Sequence, residues 1–247
     1  MSFQTVFKRY ELKYMLTCEQ KKKVLATMEP YMKLDKYGRT TIRNLYYDTD
    51  TYLLIRRSIE KPTYKEKLRI RSYSKADADS TVFVELKKKY KHVVYKRRIS
   101  LPEGEALKWL SGEKHTDTHS QISDEIDYFL DYYGTLHPTV FLSYEREAYY
   151  SKDGTDFRVT FDDNILCRRE DLSLESGAYG TQILPEGKIL MEIKCSGGIP
   201  LWMTEVLSKE KIYKTSFSKY GTAYKTLIFP ENHTLNLYNM LEVNNDA

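Results

Sequence analysis

The dominant pattern along this chain is an alternation of charged and apolar residues. It is clearest at residues 67–71, KLRIR, and again at residues 82–87, VFVELK. Successive side chains of a β-strand point to opposite faces, so Arg69 and Arg71 share one face of the first stretch and Lys87 lies on the charged face of the second. The pattern therefore predicts two strands, each with one charged face and one mostly apolar face.

Similar patterns divide the rest of the chain into strands and helices. Period-two alternation predicts strands at residues 3–14, 40–48, 63–73, 81–90, 92–101, 139–150, 155–162 and 188–196. Helical spacing of apolar residues predicts helices at residues 17–30, 51–59, 102–110, 122–134, 202–207 and 217–229. The first helix is preceded by a capping box formed by Thr17 and Gln20. The three strands between residues 63 and 101 follow one another closely, which favours an antiparallel meander.

Size and composition set the broad class of protein. A chain of 247 residues with 41% hydrophobic content can bury a large core, and we predict one domain at residues 1–230 followed by a loose tail at 231–247. Three cysteines at scattered positions predict a reducing compartment rather than a disulfide framework. No signal peptide is recognisable, and no apolar run approaches the ~20 residues that span a bilayer. The prediction is a cytoplasmic protein without a membrane span.

Basic side chains come from the charged faces of many predicted strands. They are Lys13, Arg69, Arg71, Lys87, Lys96, Arg146, Arg158 and Lys194, accompanied by Glu11, Glu85, Glu192 and either Glu145 or Glu147. An open sheet with helices on its apolar face would leave these charges in water. A closed antiparallel β-barrel with helices packed on the outside would place them in its interior. Spacing alone leaves both architectures open.

A barrel interior lined with charge has to bind something, because an unpaired buried charge costs several kcal/mol. Converging basic groups suit a linear polyanion such as a chain of phosphates, and carboxylates among them suit Mg²⁺ or Mn²⁺. The chain has no GxxxxGK(S/T) or GxGxxG loop, and His115 and His119 lie in a polar loop that is a poor metal site. We therefore favour an α+β fold with a closed barrel. Nucleic acid, which would need basic residues on an outer face, is not the predicted partner.

Seven short motifs follow one another along the chain. They are FKRYELKY at 7–14, LRIR at 68–71, VELK at 84–87, YER at 144–146, RVTFD at 158–162, MEIK at 191–194 and FSKY at 217–220. Together they resemble the VTC domain, the catalytic domain of the vacuolar transporter chaperone polyphosphate polymerase, within the triphosphate tunnel metalloenzyme superfamily. The resemblance runs from the first predicted strand to about Phe229. It implies an antiparallel tunnel that binds nucleoside triphosphate and, in the polymerases, moves the terminal phosphate of ATP onto a growing polyphosphate chain.

The resemblance also implies roles for individual residues. Its phosphate-contacting positions are matched by Lys13, Arg69, Arg71, Lys87, Lys96, Arg146, Arg158, Ser218 and Lys219. Of these, the predicted catalytic residues are Lys13, Arg69, Arg71, Lys87, Arg146 and Arg158. The predicted substrate-binding residues are Lys96, Tyr144, Lys194, Ser218 and Lys219. Glu192 matches the metal-binding carboxylate, the expected metal being Mn²⁺ or Mg²⁺, while Glu85 is open between metal support and an ion pair.

One departure from the family pattern separates the possible activities. Many tunnel enzymes begin with Glu-x-Glu-x-Lys, whereas this chain has a cation, Arg9, in place of the first carboxylate before Glu11 and Lys13. A sparser metal site favours a polyphosphate polymerase that uses ATP over hydrolases that position water with extra carboxylates. A hydrolase of tripolyphosphate or nucleoside triphosphate, and a non-catalytic polyphosphate-binding module, are the alternatives. A membrane partner stays open, because the eukaryotic polymerases have membrane-spanning subunits.

Overall fold

The computed structural model describes residues 10–91 and 93–230. An antiparallel sheet forms its centre. The strands are β1 (Tyr10–Thr17), β2 (Met32–Asp48), β3 (Tyr64–Ser72), β4 (Thr81–Tyr90), β5 (Val93–Pro102), β6 (His137–Ser151), β7 (Arg158–Arg168), β8 (Thr181–Gln182), β9 (Lys188–Cys195) and β10 (Lys214–Thr215). Their order in the sheet is β10-β1-β9-β7-β6-β2-β3-β4-β5, with β8 beside β7.

Helices connect these strands within the described part of the chain. They are α1 (Cys18–Met28), α2 (Leu53–Ile59), α3 (Glu103–Leu110), α4 (Gln121–Tyr133), α5 (Leu201–Lys209) and α6 (Lys219–Ala223), which continues into a π-helical turn (Tyr224–Ile228). The predicted capping box at α1 is confirmed, because the Thr17 N–H donates to Gln20 Oε1 at 2.9 Å and the Gln20 N–H donates to Thr17 Oγ1 at 3.1 Å. None of these helices is both long and apolar enough to cross a membrane.

The sheet is not closed, so the α+β class is confirmed and the predicted closed β-barrel is wrong. Within residues 10–91 and 93–230, β5 is hydrogen-bonded to β4 alone, and the opposite edge is the two-residue strand β10 on β1. The sheet is nonetheless strongly curved, because Lys87 Nζ on β4 lies 2.8 Å from Glu11 Oε2 on β1, although five strands separate β1 from β4 in the sheet. Alternation predicts the face of each side chain and not the pairing of the edge strands, so it does not separate a curved sheet from a barrel.

Two apolar layers cover the outer, convex face of the sheet. Side chains of β3, β4 and β5, such as Leu68 and Leu86, pack with Trp109 of α3 and Phe129 of α4. At the other end of the sheet, α1 and α5 pack against β1, β7 and β9, with Met191 among the buried residues. These four helices lie outside the sheet, as predicted, because the apolar faces of its strands need cover.

The short helix α6 departs from the prediction that helices lie outside. The side chain of its residue Tyr220 packs with Leu190 and Tyr46. Leu190 lies on the same face of β9 as Glu192, since the two are two residues apart. Because α6 and its π-helical turn fill part of the concave face with apolar side chains, the remaining part of that face is left to the charged residues.

Several predicted boundaries shift. β2 begins at Met32 rather than residue 40, β7 continues to Arg168 rather than ending at residue 162, and β10 was not predicted. The predicted strand residues before Tyr10, residue 92 and the predicted tail at 231–247 lie outside the described residues.

Candidate functional site

The concave face of the sheet carries a dense group of charged side chains, which we call the cationic cage. Its basic members are Lys13, Lys67, Arg69, Arg71, Lys87, Lys96, Arg98, Arg146, Lys194 and Lys219, and its acidic members are Glu11, Glu85, Asp162 and Glu192. They come from β1, β3, β4, β5, β6, β7 and β9 and from the start of α6. The curvature of the sheet brings these side chains together.

Glu85 is the centre of one half of the cage. Its carboxylate lies 2.7 Å from Arg69 Nη2, 2.6 Å from Lys96 Nζ, 3.5 Å from Arg98 Nε and 3.8 Å from Arg71 Nε. Burial alone would raise the pKa of Glu85, but the charges of Arg71, Arg69 and Lys96 outweigh it and hold the pKa well below its usual range. Glu85 is therefore ionised, and it fixes the guanidinium groups of β3.

Neutral partners fix the two arginines of β3 further. Arg69 Nη1 donates to the Tyr46 hydroxyl at 2.8 Å. Arg71 Nε donates to Asn44 Oδ1 at 3.0 Å, and its Nη2 donates to the Tyr144 hydroxyl at 3.3 Å. These bonds leave few orientations open to either guanidinium. The N–H groups that each one directs to the centre of the concave face are therefore fixed in position.

Glu192 is the centre of the other half. Its carboxylate lies 3.3 Å from Lys13 Nζ, 3.2 Å from Lys194 Nζ and 3.9 Å from Arg146 Nη2. Lys13 is the direct cross-strand partner of Glu192 between β1 and β9, which explains why the two meet. Burial would raise the pKa of Glu192, but Lys194, Lys13 and other cage cations together hold it well below its usual range.

Asp162 is the second carboxylate in the Glu192 half of the cage, and it is not among the predicted site residues. Arg146 binds it in a two-pronged ion pair, with Nε donating to Oδ1 at 2.6 Å and Nη2 donating to Oδ2 at 2.7 Å. Lys219 Nζ donates to Oδ2 at 2.5 Å and so ties the start of α6 to β7. The motif RVTFD contains Asp162 four residues beyond Arg158 on the same strand face, so alternation would have been enough to group it with the charged residues.

Tyr144 lies between the two halves. The Arg146 guanidinium and the Lys219 ammonium lie 5.0 and 4.4 Å from the centre of its ring. Burial raises the pKa of Tyr144, yet the charges of Arg146, Arg71 and Lys219 outweigh it and lower the pKa to about 8. The hydroxyl is therefore a strong donor to an anion in this site.

Lys67 is a second residue that the sequence analysis left out of the site. Its Nζ donates to Ser218 Oγ at 3.0 Å, and Ser218 also caps α6 by accepting from the Gly221 N–H at 3.2 Å. Burial, followed by the charges of Lys87 and Lys13, lowers the pKa of Lys67 to about 7. The alternation at residues 67–71 already places Lys67 on the face of Arg69 and Arg71, but the LRIR motif, on which the predicted site residues depend, begins one residue later.

Most of the predicted site residues come together in the cage, and Arg158 lies at its border. Arg158 is the first residue of β7, is exposed, and is the cross-strand partner of Lys194. Its side chain makes no hydrogen bond or ion pair with the other described residues, although its backbone is part of the sheet. Its strand face is that of Asp162, so it stands at the rim of the concave face rather than inside.

The cage residues fit a metal held jointly with a substrate rather than by the protein alone. Within the described residues, no three carboxylate, histidine or cysteine side chains form a group that could hold a metal ion. Glu192 is close enough to Glu11 and Asp162 for its charge to disfavour ionisation of both. Mg²⁺ commonly takes one or two protein carboxylates and completes its shell with phosphate oxygens and water, and Glu192 fits that arrangement. Glu85 fits it less well, because four cations already surround a side chain that is 1% exposed.

Comparison with known proteins agrees with this architecture. A model of the VTC domain family matches residues 8–228. The crystal structure of a proposed adenylate cyclase from Bacillus halodurans is similar with a TM-score of 0.56 and 16% sequence identity, over 87% of this chain and 96% of that chain. A proposed adenylate cyclase from Vibrio parahaemolyticus gives a TM-score of 0.46 and 10% identity, over 87% of this chain and 97% of that chain. At such identities the first likeness describes the fold alone, and no curated protein matches the sequence.

Proposed function

Because the chain belongs to the VTC domain family, we propose that it is a phosphoryl-transfer enzyme of the triphosphate tunnel type, which moves the terminal phosphate of ATP onto a growing polyphosphate chain. One observation carries the proposal. Ten basic side chains and four carboxylates converge on one concave face, so the site has an excess of positive charge that the fold itself does not neutralise. A triphosphate supplies the missing negative charge in linear form.

The two halves of the cage would hold the triphosphate in different ways. Arg69 and Arg71 are fixed by Glu85 and by neutral partners, and they offer donors that need no rearrangement. Lys13 and Lys194 are flexible cations on Glu192, and they turn from that carboxylate to phosphate oxygens when a substrate arrives. Mn²⁺ or Mg²⁺, when held by Glu192 and the substrate, supplies further neutralisation of the phosphate charge.

The transfer step needs positioning more than acid–base chemistry. A terminal oxygen of the acceptor chain attacks the γ-phosphorus, the bond from that phosphorus to the bridging oxygen breaks, and the electron pair leaves with ADP. The acceptor oxygen is already anionic, so no base has to remove a proton. The task of the cage is to hold two phosphate chains in line and to neutralise their charge.

The carboxylates of the cage favour transfer to phosphate over transfer to water. A hydrolase has to activate a water molecule, which calls for a carboxylate that can accept a proton near neutral pH. Glu85 and Glu192 have strongly lowered pKa values, because the surrounding cations outweigh the effect of burial, and the pKa of Glu11 is lowered to about 2 for the same reason. Such carboxylates are weak bases, which supports the polymerase over the hydrolase.

An assay of the products tests the proposal. Purified protein is incubated with ATP labelled at the γ-phosphate and Mn²⁺, and we expect ADP together with labelled phosphate chains of increasing length. Release of orthophosphate alone would identify a hydrolase instead. Pyrophosphate with cyclic AMP would identify the activity for which the similar structures are named, and tight polyphosphate binding without turnover would identify a binding module.

A matched variant excludes contaminating activity in this assay. Arg69→Lys keeps the positive charge but removes the guanidinium that donates to both Glu85 and Tyr46. We therefore expect slower chain growth when the variant and the original protein are purified in the same way. The comparison variant Lys33→Gln/Lys36→Gln changes two exposed lysines of β2 and should keep the original rate. An activity equal in all three proteins would not belong to this site.

A further inference from the structure

Two successive pairs of lysines face each other across β3 and β4. Lys65 is the direct cross-strand partner of Lys89, and Lys67 is the partner of Lys87. All four share the strand face of Arg69, because they alternate with residues of the opposite face. Like charges placed directly opposite each other destabilise an antiparallel pair. A fold that keeps two such pairs in a row needs negative charge from another source.

Among the described residues, a carboxylate supplies that charge for only one of the four lysines. Lys87 Nζ lies 2.8 Å from Glu11 Oε2. By contrast, Lys65 Nζ donates to the Ser58 carbonyl at 2.9 Å, and Lys67 Nζ donates to the Ser218 hydroxyl at 3.0 Å. Among the residues that the structure describes, no carboxylate lies within 4.0 Å of the charged nitrogen of Lys65, Lys67 or Lys89.

Electrostatic repulsion between these residues is direct. Burial lowers the pKa of Lys65, and the charges of Lys89, Lys61 and Lys87 lower it further. Lys67 has its pKa lowered to about 7 by burial and then by Lys87, Lys13 and Lys65. The lysines therefore lie close enough to oppose one another's protonation.

On the opposite face of the same strands, basic side chains do have carboxylate partners. Lys88 of β4 and Arg97 of β5 both bind Glu125 of α4, at 3.3 and 3.0 Å. On β3, Glu66 accepts from the Tyr133 hydroxyl at 2.9 Å. Within the described residues, the lysines of β3 and β4 that lack a carboxylate partner thus lie on the concave face, where they continue the excess charge of the cage.

We propose that Lys65 and Lys89, next to Lys67 at the edge of the cage, continue it as a lysine track that binds the part of a linear polyphosphate extending beyond the cage. The inference rests on the proposed function and adds the direction in which the polyphosphate leaves the cage. The chain would run along β3 and β4 towards Tyr64 and Tyr90. Residues on one face of a strand are about 6.6 Å apart, so Lys65 continues the row of Arg69 and Lys67 at regular intervals. The track makes the site selective for long chains over tripolyphosphate.

Binding measurements with two ligands test the track without depending on turnover. Dissociation constants are measured by calorimetry for tripolyphosphate and for long-chain polyphosphate, with the original protein and with Lys65→Gln/Lys89→Gln. We expect the original protein to bind the long chain more tightly. The double variant should lose about tenfold in affinity for the long chain, the equivalent of one charge-assisted hydrogen bond, and less than threefold for tripolyphosphate.

The control variant Lys33→Gln/Lys36→Gln removes the same charge from exposed positions of β2 and should leave both affinities unchanged. An equal loss for both ligands, or no loss for either, in Lys65→Gln/Lys89→Gln would overturn the track. An original protein that binds tripolyphosphate but shows no preference for long chains would also overturn the track while leaving the proposed function standing. An original protein that binds neither ligand would overturn both.

Discussion

Glu85 and Glu192 are buried carboxylates on the same concave face, but they hold different kinds of cation. Glu85 lies among the guanidinium groups of Arg69, Arg71 and Arg98, with Lys96 as its fourth neighbour. The two closest cations of Glu192 are lysines of β1 and β9, at 3.3 and 3.2 Å. The Glu85 side chain is 1% exposed and the Glu192 side chain is 10% exposed.

The difference suggests different roles, in which Glu85 positions the arginines and Glu192 takes part in the proposed reaction. Arginine is a planar donor that keeps its geometry, whereas lysine is a flexible point charge that changes partner easily. Glu85 therefore organises donors that are ready before a substrate arrives. Under the proposed function, Lys13 and Lys194 would turn from Glu192 to phosphate, which would leave this carboxylate free to hold the proposed metal.

The largest expected effect follows from removing the charge of Glu192. We predict that Glu192→Gln lowers metal-dependent chain growth by about 100- to 1000-fold. The fold should stay intact, and the melting temperature should fall less than in Glu85→Gln, because fewer cations lose their shared anion and Glu192 is the more exposed carboxylate. Steady-state rates across a range of Mn²⁺ concentrations, with thermal unfolding alongside, measure both. Glu186→Gln, at an exposed position, is the control. Full activity in Glu192→Gln would refute a metal role for this residue.

Removing the charge of Glu85 should act on stability first. Glu85→Gln leaves four cations without their shared anion, so the free energy of unfolding should fall by about 3 kcal/mol. Urea denaturation measures the loss. Saturating tripolyphosphate supplies negative charge to the same cations and should reduce the difference between the two proteins. A loss no larger than that of Glu192→Gln in the absence of ligand would show that Glu85 and Glu192 are equivalent.

A pH dependence should appear on the Glu85 side. Burial lowers the pKa of Lys96 to about 7 even though Glu85 opposes the shift. Between pH 7 and about 10 the unfolded chain, whose lysines have a pKa near 10.4, binds the extra proton, so stability without ligand rises with pH. Anion binding requires that proton, so loss of the Lys96 charge alone should lower the affinity for tripolyphosphate by at most about tenfold per pH unit above pH 7. Lys96→Met should make both profiles shallower, with the remaining slope due to Lys67, whose pKa is also lowered to about 7, and parallel profiles in the two proteins would contradict this.

The sequence pattern predicted which faces carry charge but not how the faces meet. β4 spans Thr81–Tyr90 as predicted, and alternation correctly placed Arg69 and Lys87 on the face that became concave. The pair of Lys87 and Glu11 joins strands at distant positions in the sheet, so it depends on curvature, which period-two alternation does not encode. The closed barrel was a wrong prediction for the same reason, because an open curved sheet and a barrel share one alternation pattern.

Local ambiguity explains the remaining differences. Two-residue β10 is too short for any periodicity, and it covers the edge of β1 at Lys13 and Tyr14. The predicted helix at 217–229 is present from Lys219, but its amphipathic spacing does not show whether it packs on the convex or the concave face. Its position inside the concave face is what brings Lys219 to Asp162, and no local motif marks that contact.

The smallest expected effect concerns Ser218, the residue that caps α6 next to the Glu192 half of the cage. Ser218 accepts from the Gly221 N–H and so begins the helix whose first residue, Lys219, binds Asp162. Ser218→Ala removes this cap and the hydroxyl partner of Lys67, and we predict a loss of about 1 kcal/mol in unfolding free energy with a weakening of tripolyphosphate binding by only a few fold. Ser218→Thr keeps a capping oxygen and should restore most of both. If Ser218→Ala instead lowered the unfolding free energy as much as Glu85→Gln, α6 would be as fixed a part of the site as the arginines, and the distinction between the two halves would be lost.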